Sequence, residues 1–305
     1  MAPEYSDQAS AAAEIAAVLQ GLATQPALFA ELNFAARAEA LDELEVHVLD
    51  RLDSLPAPDF SAALSQLRAQ ALALQEQLEA VDQRLFAELR ATIRAGHYTP
   101  SGLRALLTAY AGTGSWQPGG VATGYDSLDT LTNGLFPEPA QSLEALPREP
   151  EMVYYQKTPA RIILELAAEI TPQDIFYDLG SGLGQVPLLV HLLSGAPARG
   201  VEIEPAYCRH AETCATELQL SQVEFINADA RAVDYSNGTA FFLFTPFTGH
   251  ILQQVLDKLQ QVAQRKPIRV FSYGPGTEAL AQQSWLYRRG LAESRVYLLA
   301  EFHSC

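Results

Sequence analysis

One short stretch constrains this chain more than any other, the segment Asp178-Leu-Gly-Ser-Gly-Leu-Gly-Gln. The apolar residues 175–177 before it predict a buried strand, and the apolar run after it predicts a helix. Glycines in the connecting turn permit a positive φ and close approach of a ligand to the backbone. The start of a helix also presents unpaired N–H groups. The stretch therefore predicts a strand–turn–helix site for a nucleotide-sized ligand.

The glycine spacing separates this turn from the dinucleotide fingerprint Gly-x-Gly-x-x-Gly, whose third glycine comes one residue later. Here Gly180, Gly182 and Gly184 are evenly spaced, and Asp178 lies two residues before the first of them. This arrangement resembles motif I of the class I S-adenosylmethionine (AdoMet) methyltransferases. Its wording also resembles the non-SET histone lysine methyltransferases of the disruptor-of-telomeric-silencing type. The resemblance implies AdoMet as the cofactor, and a glycine-rich turn in some other α/β domain is the alternative.

Length and composition predict a folded chain in the cytoplasm. At about 150 residues per domain, 305 residues suggest two domains. The chain is 48% hydrophobic and 18% charged, so a large core is expected. No apolar run approaches the ~20 residues of a membrane span, and the acidic N-terminus lacks the basic flank of a signal peptide. We therefore expect no membrane partner.

Charge and cysteine content narrow the candidate ligands further. The formal net charge is −16, and no basic patch is visible, so a nucleic-acid partner is not favoured. The acidic residues could attract a basic protein, or they could simply form a solvated surface. Cys208, His210 and Cys214 are spread around the circumference of one predicted helix, so we predict no metal site.

The first half of the chain has the periodicity of helices. Residues 7–20, 26–52, 60–95 and 102–111 each carry apolar side chains at helical spacing. The helix over residues 60–95 has a heptad-like seam, which predicts packing against the second helix as an antiparallel hairpin. A coiled-coil homodimer through the same seam is the alternative.

The second half alternates strand and helix, a pattern typical of a parallel sheet with helical crossovers. Its last two predicted strands, residues 285–289 and 295–303, resemble the antiparallel final hairpin of class I methyltransferases. The predicted fold class is α/β, a mostly parallel Rossmann-like sheet preceded by an all-α helical-bundle domain. We predict a bundle over residues 1–111, a linker with a short helix over 112–150, and an AdoMet-binding methyltransferase domain over 151–305.

Ligands of an open parallel sheet bind beyond the carboxyl ends of its strands, so polar residues there are candidate contacts. The resemblance implies that the turn after the first strand holds the methionine part of AdoMet. It also implies that Glu202 accepts both ribose hydroxyls, with Glu204 as the competing candidate, and that Asp229 and Ala230 contact the adenine. The predicted cofactor residues are Asp178, Gly180, Ser181, Gly182, Gly184, Gln185, Glu202, Asp229, Ala230, Gln156 and Thr158.

The fourth strand ends Phe244-Thr-Pro-Phe-Thr-Gly, the position that faces the methyl acceptor in the family. Amino-methyltransferases often carry Asn-Pro-Pro-aromatic there, and the histone enzymes carry an Asn-Asn-Phe type of segment. Thr245 and Pro246 replace the expected amides and only Phe247 matches, which weakens the inference of a lysine acceptor. We predict Phe247, Thr245 and Tyr155 as the residues nearest the reaction.

Together these patterns predict an AdoMet-dependent methyltransferase that transfers the methyl group by in-line displacement. The acceptor is not identified by the sequence, and a protein lysine is one candidate. A small-molecule N- or O-methyltransferase is the alternative enzyme. A non-catalytic AdoMet-binding scaffold protein is the alternative outside the enzymes.

Overall fold

The computed structural model describes residues 3–54, 62–111, 126–137, 139, 149–290 and 297–305. The described residues fall into two compact units. The helical unit comprises those of Met1–Leu89, Leu107–Gly114 and Asp126–Leu135, and the sheet unit comprises those of Arg90–Leu106 and Phe136–Cys305. Residues 112–125, 138 and 140–148 of the predicted linker lie outside the described residues, and the predicted domain boundaries remain predictions.

The described residues at the front of the chain are mostly helical. Its helices are α1 (Pro3–Ala23), α2 (Phe34–Leu44), α3 (Asp50–Asp53), α4 (Ala62–Arg94), α5 (Pro100–Ala111) and α6 (Ser127–Leu135). The predicted seam of α4 from Leu64 to Leu78 packs in a cluster with apolar residues of α1, α2 and α3, including Leu44 and Leu52. The cluster therefore contains the contacts expected of a hairpin within one chain, and the homodimer stays a prediction.

The second predicted helix, residues 26–52, is wrong as a single element. Two 3₁₀ turns, Pro26–Phe29 and Glu31–Asn33, precede α2, and a π turn, Glu45–Leu49, separates α2 from α3. Arg37 explains the irregular start, because its Nη1 donates to the carbonyl oxygens of Leu28 and Ala30, each at 2.9 Å. Those carbonyls are thereby satisfied by a side chain, so a regular helical ladder is not required there. We have no physical account of the π turn.

The sheet unit is an open seven-stranded sheet in the order β3-β2-β1-β4-β5-β7-β6. Its strands are β1 (Phe176–Leu179), β2 (Ala198–Glu202), β3 (Val223–Asn227), β4 (Ala240–Leu243), β5 (Arg269–Ser272), β6 (Leu286–Arg288) and β7 (Ala300–Ser304). Strands β1 to β5 pair in parallel, whereas β7 pairs antiparallel with both β5 and β6. The sheet confirms the predicted fold class, although residues 291–296 before β7 lie outside the described residues.

Helices follow β1, β2, β4 and β5, and one further helix precedes β1. They are α7 (Ala160–Glu169), α8 (Gln185–Ser194), α9 (Pro205–Glu217), α10 (Gly249–Ala263) and α11 (Thr277–Ala281). The order of the strands reverses between β1 and β4, which are neighbours. This switch point places the turn after β1 next to the turn after β4, where α/β sheets bind ligands. Within the described part of the chain, no helix has the length and apolarity of a membrane span.

Candidate cofactor and acceptor site

A cavity of about 370 Å³ lies beyond the carboxyl ends of β1, β2 and β4. This volume falls in the range of ~300–1,000 Å³ that is usual for small-molecule and cofactor sites. Twelve predicted site residues line the cavity, namely Tyr155, Gln156, Thr158, Asp178, Gly180, Ser181, Gln185, Glu202, Asp229, Ala230, Thr245 and Phe247. Gly182 and Gly184 do not line it, and their part in the site is to shape the turn.

The glycine turn is possible only without side chains. Gly180, Gly182 and Gly184 have φ values of +82°, +53° and +85°, which disfavour any residue with a Cβ. A Cβ on Gly180 would overlap Pro246, and a Cβ on Gly182 would overlap the ring of Tyr155. The glycines thus let two neighbouring segments close onto the turn, which the spacing alone does not reveal.

The backbone of the turn is hydrogen-bonded to β2, whereas the hydroxyl of Ser181 has no partner among the described residues. The N–H groups of Gly180 and Ser181 donate to the Val201 carbonyl at 2.9 and 3.0 Å. The Ser181 side chain lies against the cavity, and its buried Oγ has no hydrogen-bond partner among the described residues. A buried hydroxyl without a partner is costly, so this atom fits a polar ligand group.

Glu202 is held at the end of β2 by backbone N–H groups. One carboxylate oxygen accepts from Gly182 N at 2.7 Å and the other from Glu204 N at 2.8 Å. A carboxylate has about four lone-pair sites, so each oxygen can accept one more bond, as a ribose diol requires. Burial raises the pKa of Glu202, and the two N–H donors oppose the rise. Glu204 is buried as well and lines the same cavity.

Asp178 is the most deeply buried acid of the site, with 2% of its surface exposed. Burial raises its pKa well above the usual range, and the nearby Glu202 raises it further. No lysine, arginine or histidine is among the described residues that line the cavity. Because the charged form of Asp178 has no cationic neighbour there, the site electrostatically favours a ligand that carries positive charge.

Asp229 follows β3 and is already clamped by an arginine. Arg231 Nε lies 3.0 Å from both carboxylate oxygens of Asp229, and its Nη2 lies 2.6 Å from one of them. The hydrogen bond from Arg231 lowers the pKa of Asp229, so this acid is charged at neutral pH. A remaining lone pair can still accept from an amine, the role that the resemblance implied.

Residues 149–158, which we call the cover segment, run along the loop after β4. Val153 N donates to the Pro246 carbonyl at 3.0 Å, and Thr248 N donates to the Glu151 carbonyl at 2.9 Å. The ring of Tyr155 packs edge-on against Tyr207 with 5.6 Å between ring centroids. The cover segment therefore forms one wall of the cavity, as the predicted contacts Tyr155, Gln156 and Thr158 required.

Thr245 has a backbone conformation that β-branched residues rarely adopt, with φ at +43°. Its Oγ1 accepts from Gly276 N at 3.0 Å and lies 3.3 Å from the Tyr273 carbonyl. Such strain costs on the order of 1–3 kcal/mol and persists where surrounding structure enforces it. The hydroxyl is thus engaged by the turn after β5, and contact of Thr245 with an acceptor remains a prediction.

Sequence reasoning missed several aromatic residues of the cavity. Phe244, Tyr207 and Tyr297 line it, and Tyr273 packs behind two of them, with ring centroids 4.9 Å from Phe244 and 5.7 Å from Tyr297. Phe244 directly follows β4 and Tyr207 lies in the first turn of α9, both predicted elements, so their positions offered a signal. Tyr297 lies in the final hairpin, and no local pattern indicates that it reaches the cavity.

The family model described as "Histone methylation protein DOT1" matches residues 151–244. That range includes the cover segment from Glu151, the glycine turn, Glu202 and Asp229. The sheet order, the position of the cavity at the switch point and this match all point to the same class of enzyme. The protein is an AdoMet-dependent methyltransferase. Its catalytic fold is class I, and AdoMet is its cofactor. No curated protein matches the sequence at a significant level.

Solved methyltransferase structures overlap this methyltransferase over about half of its chain or less. An RNA methyltransferase from Salinibacter ruber is 23% identical, with 49% of this chain and 92% of that chain covered and a TM-score of 0.38. A ribosomal protein L11 methylase from Lactobacillus delbrueckii subsp. bulgaricus is 14% identical, with 47% and 76% covered and a TM-score of 0.39. A geranyl diphosphate C-methyltransferase from Streptomyces coelicolor A3(2) is 18% identical, with 37% of this chain and 42% of that chain covered and a TM-score of 0.31. Overlaps this limited do not bear on the acceptor.

The residues of this methyltransferase suit AdoMet on three counts. The glycine turn gives a cradle that side chains would fill, Ser181 Oγ lacks a partner, and the buried acids favour the positive charge of a sulfonium. Within the described ranges, no group of three or more His, Cys, Asp or Glu side chains could hold a metal ion.

Proposed function

We propose that the protein transfers the methyl group of AdoMet to an amine nitrogen, with the lysine side chain of a basic protein as the acceptor. The observation that carries this proposal is the lining at the end of β4, where Phe244, Phe247 and Tyr297 border the cavity and no described basic side chain does. Aromatic faces attract an approaching ammonium group through cation–π contact. The net charge of −16 would draw a basic protein toward the enzyme.

Each part of the proposed reaction falls to a different set of residues. When bound, AdoMet supplies an electrophilic methyl group on a sulfonium. Glu202 would accept the ribose hydroxyls, Ser181 Oγ would bond a polar group of the methionine part, and Asp178 would balance positive charge. The contribution of the protein is alignment and exclusion of water, to which the cover segment adds a wall.

Proton removal sets a condition on the acceptor. The attacking nitrogen must be neutral, and an unperturbed lysine has a pKa of about 10.4. The acids of the cavity are buried or already bonded, and no histidine is found among the described lining residues. We therefore infer that the amine loses its proton to solvent before it reaches the methyl group, so that transfer should accelerate toward alkaline pH.

A small planar N- or O-acceptor is the second candidate function. It is favoured by the rings of Phe244 and Tyr297, which line the cavity and on which an aromatic acceptor could stack. Tyr297 is 46% exposed, so the cavity opens beside it. A protein that binds AdoMet without transferring its methyl group is the non-enzymatic alternative.

One labelling experiment separates these functions. The full chain would be incubated with AdoMet labelled in its methyl group and a cell lysate, and the label would be resolved by molecular size. We expect label in protein, located on lysine by mass spectrometry, and no label with Glu202→Ala. Label in small molecules would instead support the second candidate. Calorimetric binding of AdoMet without any transfer would contradict both enzyme proposals.

A further inference from the structure

The start of helix α10 is capped by a residue 100 positions earlier in the chain. Glu151 Oε2 accepts from Ile251 N at 2.8 Å, and the N–H of His250 is a second donor to this carboxylate. A carboxylate at this place satisfies orphan N–H groups and complements the positive end of the helix dipole. The hydrogen bonds from His250 and Ile251 hold the pKa of Glu151 below its usual value, so the cap is charged at neutral pH.

The side chain at the N-cap position of α10 does not cap the helix. Thr248 occupies the N-cap position and makes no side-chain cap bond. Its hydroxyl instead donates to the Glu151 carbonyl at 3.3 Å. Gly249 has φ at +54°, and a Cβ there would overlap the Glu151 carboxylate. The beginning of α10 is therefore shaped to receive Glu151 rather than to cap itself.

The capping bond joins two walls of the cofactor cavity. On one side, Pro246 of the loop after β4 packs against the turn at Gly180, and Pro246 and Phe247 both line the cavity. On the other side, the cover segment carries Tyr155, which closes over Gly182. Glu151 of the cover segment joins the two, since its carboxylate accepts from Ile251 N of α10 and its carbonyl oxygen accepts from Thr248 N. Loss of the cap should therefore loosen the acceptor side and the cover together.

A second acid of the cover segment makes a weaker contact. Glu149 Oε1 lies 2.5 Å from Arg231 Nη2, but its side chain is 51% exposed. Exposed ion pairs contribute little because water and salt screen them. Glu151 is thus the contact expected to decide the position of the cover.

We propose that Glu151 is a positioning residue, which latches the cover segment to helix α10 and so holds the loop after β4 and the cover in the arrangement that retains AdoMet. The proposal rests on the assignment of this cavity to AdoMet. It extends that assignment, because Glu151 itself does not line the cavity and acts through the two segments that do.

The latch is tested with two substitutions and one matched control. Glu151→Ala removes the cap, whereas Glu151→Gln keeps an amide oxygen that can accept from Ile251 N. Asp234→Ala is the control, because the Asp234 carboxylate also accepts a backbone N–H, from Ser236 at 2.9 Å, but does not line this cavity. AdoMet affinity would be measured by calorimetry, and hydrogen exchange would be followed in residues 152–158 and 246–252.

We expect Glu151→Ala to weaken AdoMet binding by about fivefold to tenfold, the effect of a lost helix cap passed on to the ligand. Exchange should rise in both segments, even without AdoMet. Glu151→Gln should recover most of the affinity, and Asp234→Ala should match the unsubstituted protein.

The proposal is overturned if Glu151→Ala lowers thermal stability while exchange in residues 152–158 stays unchanged, since Glu151 would then only cap a helix. It is also overturned if Glu151→Gln behaves like Glu151→Ala in both measurements. Exchange in the AdoMet-free protein keeps the test independent of the acceptor. Failure of methyl transfer would therefore contradict the proposed function and leave this result standing.

Discussion

The helical unit and the sheet unit bury charge in opposite ways. In the helical unit, Arg37 is fully buried and its Nε donates to Asp82 at 2.6 Å. In the sheet unit, Asp178 and Glu202 are buried beside one another, and the described cavity lining offers no cation to either. One unit thus balances its buried charge internally, and the other leaves two buried carboxyl groups at a ligand site without a cationic neighbour among the described lining residues.

The pKa values of these acids show the same contrast. Burial raises the pKa of Asp82, and its hydrogen bond and ion pair with Arg37 oppose that rise. Burial raises the pKa of Asp178 too, but the neighbouring Glu202 adds to the rise instead of opposing it. Perturbed carboxyls without an internal partner are typical of functional sites, whereas paired ones are typical of structural networks. The comparison therefore distinguishes Asp82, which stabilises the fold, from Asp178 and Glu202, which line the cofactor cavity.

The largest expected effect comes from breaking the internal pair with Asp82→Asn. This change leaves Arg37 buried without a counter-charge, and removal of one partner of a buried pair costs ~3–5 kcal/mol. We expect the free energy of unfolding of the helical unit to fall by that order, measured by hydrogen exchange in residues 62–89. Affinity for AdoMet should not change. A loss of less than about 1 kcal/mol would show that Asp82 is not needed to balance Arg37.

The matched substitution in the sheet unit, Asp178→Asn, should have the opposite sign for stability. An amide has the same shape but no charge to desolvate, so the AdoMet-free sheet unit should become more stable. Affinity for AdoMet should fall about tenfold or more, because a hydrogen bond to a charged group is worth ~1.5–3 kcal/mol. Exchange in residues 176–202 and calorimetry would measure the two effects. Loss of stability together with unchanged affinity would place Asp178 among the structural acids.

The smallest expected effect is the pH dependence of the two carboxyls. Since folding raises the pKa values of Asp178 and Glu202, the AdoMet-free protein loses stability as pH rises from their ordinary values near 4 through the raised ones. Affinity for AdoMet should increase over the same interval, as the carboxylates become charged. Calorimetry across this pH range would show the rise, and Asp178→Asn should flatten it. A pH-independent affinity would contradict the electrostatic role of these acids.

Much of the fold followed from local patterns. The glycine turn, the alternation of strand and helix, and the acids at or just beyond the carboxyl ends of β1, β2 and β3 are all short-range features of the sequence. They could be assembled because carboxyl ends of parallel strands meet at one edge of a sheet. The single helix predicted over residues 26–52 failed, because Arg37 binds carbonyls that a regular helix would use.

Parts of the site could not be predicted from local patterns. Tyr297 reaches the cavity from the final hairpin, and Glu151 finds its partner 100 residues away. Contacts of this kind depend on how distant segments pack. The periodicity of apolar residues does not indicate which polar atoms will form hydrogen bonds. The positive φ of Thr245 could not be predicted from the sequence either, since β-branched residues rarely adopt a positive φ.

The sequence by itself determined the cofactor half of this protein. Three glycines at alternate positions after a buried strand permit a turn of positive φ, and that property is local to the backbone. Only the tertiary structure decided which acids are paired and which are left to a ligand. Asp82 beside Arg37 is a structural partner, whereas Asp178 beside Glu202 lines a ligand cavity. The two aspartates differ because burial and neighbouring charge depend on residues far apart in the chain.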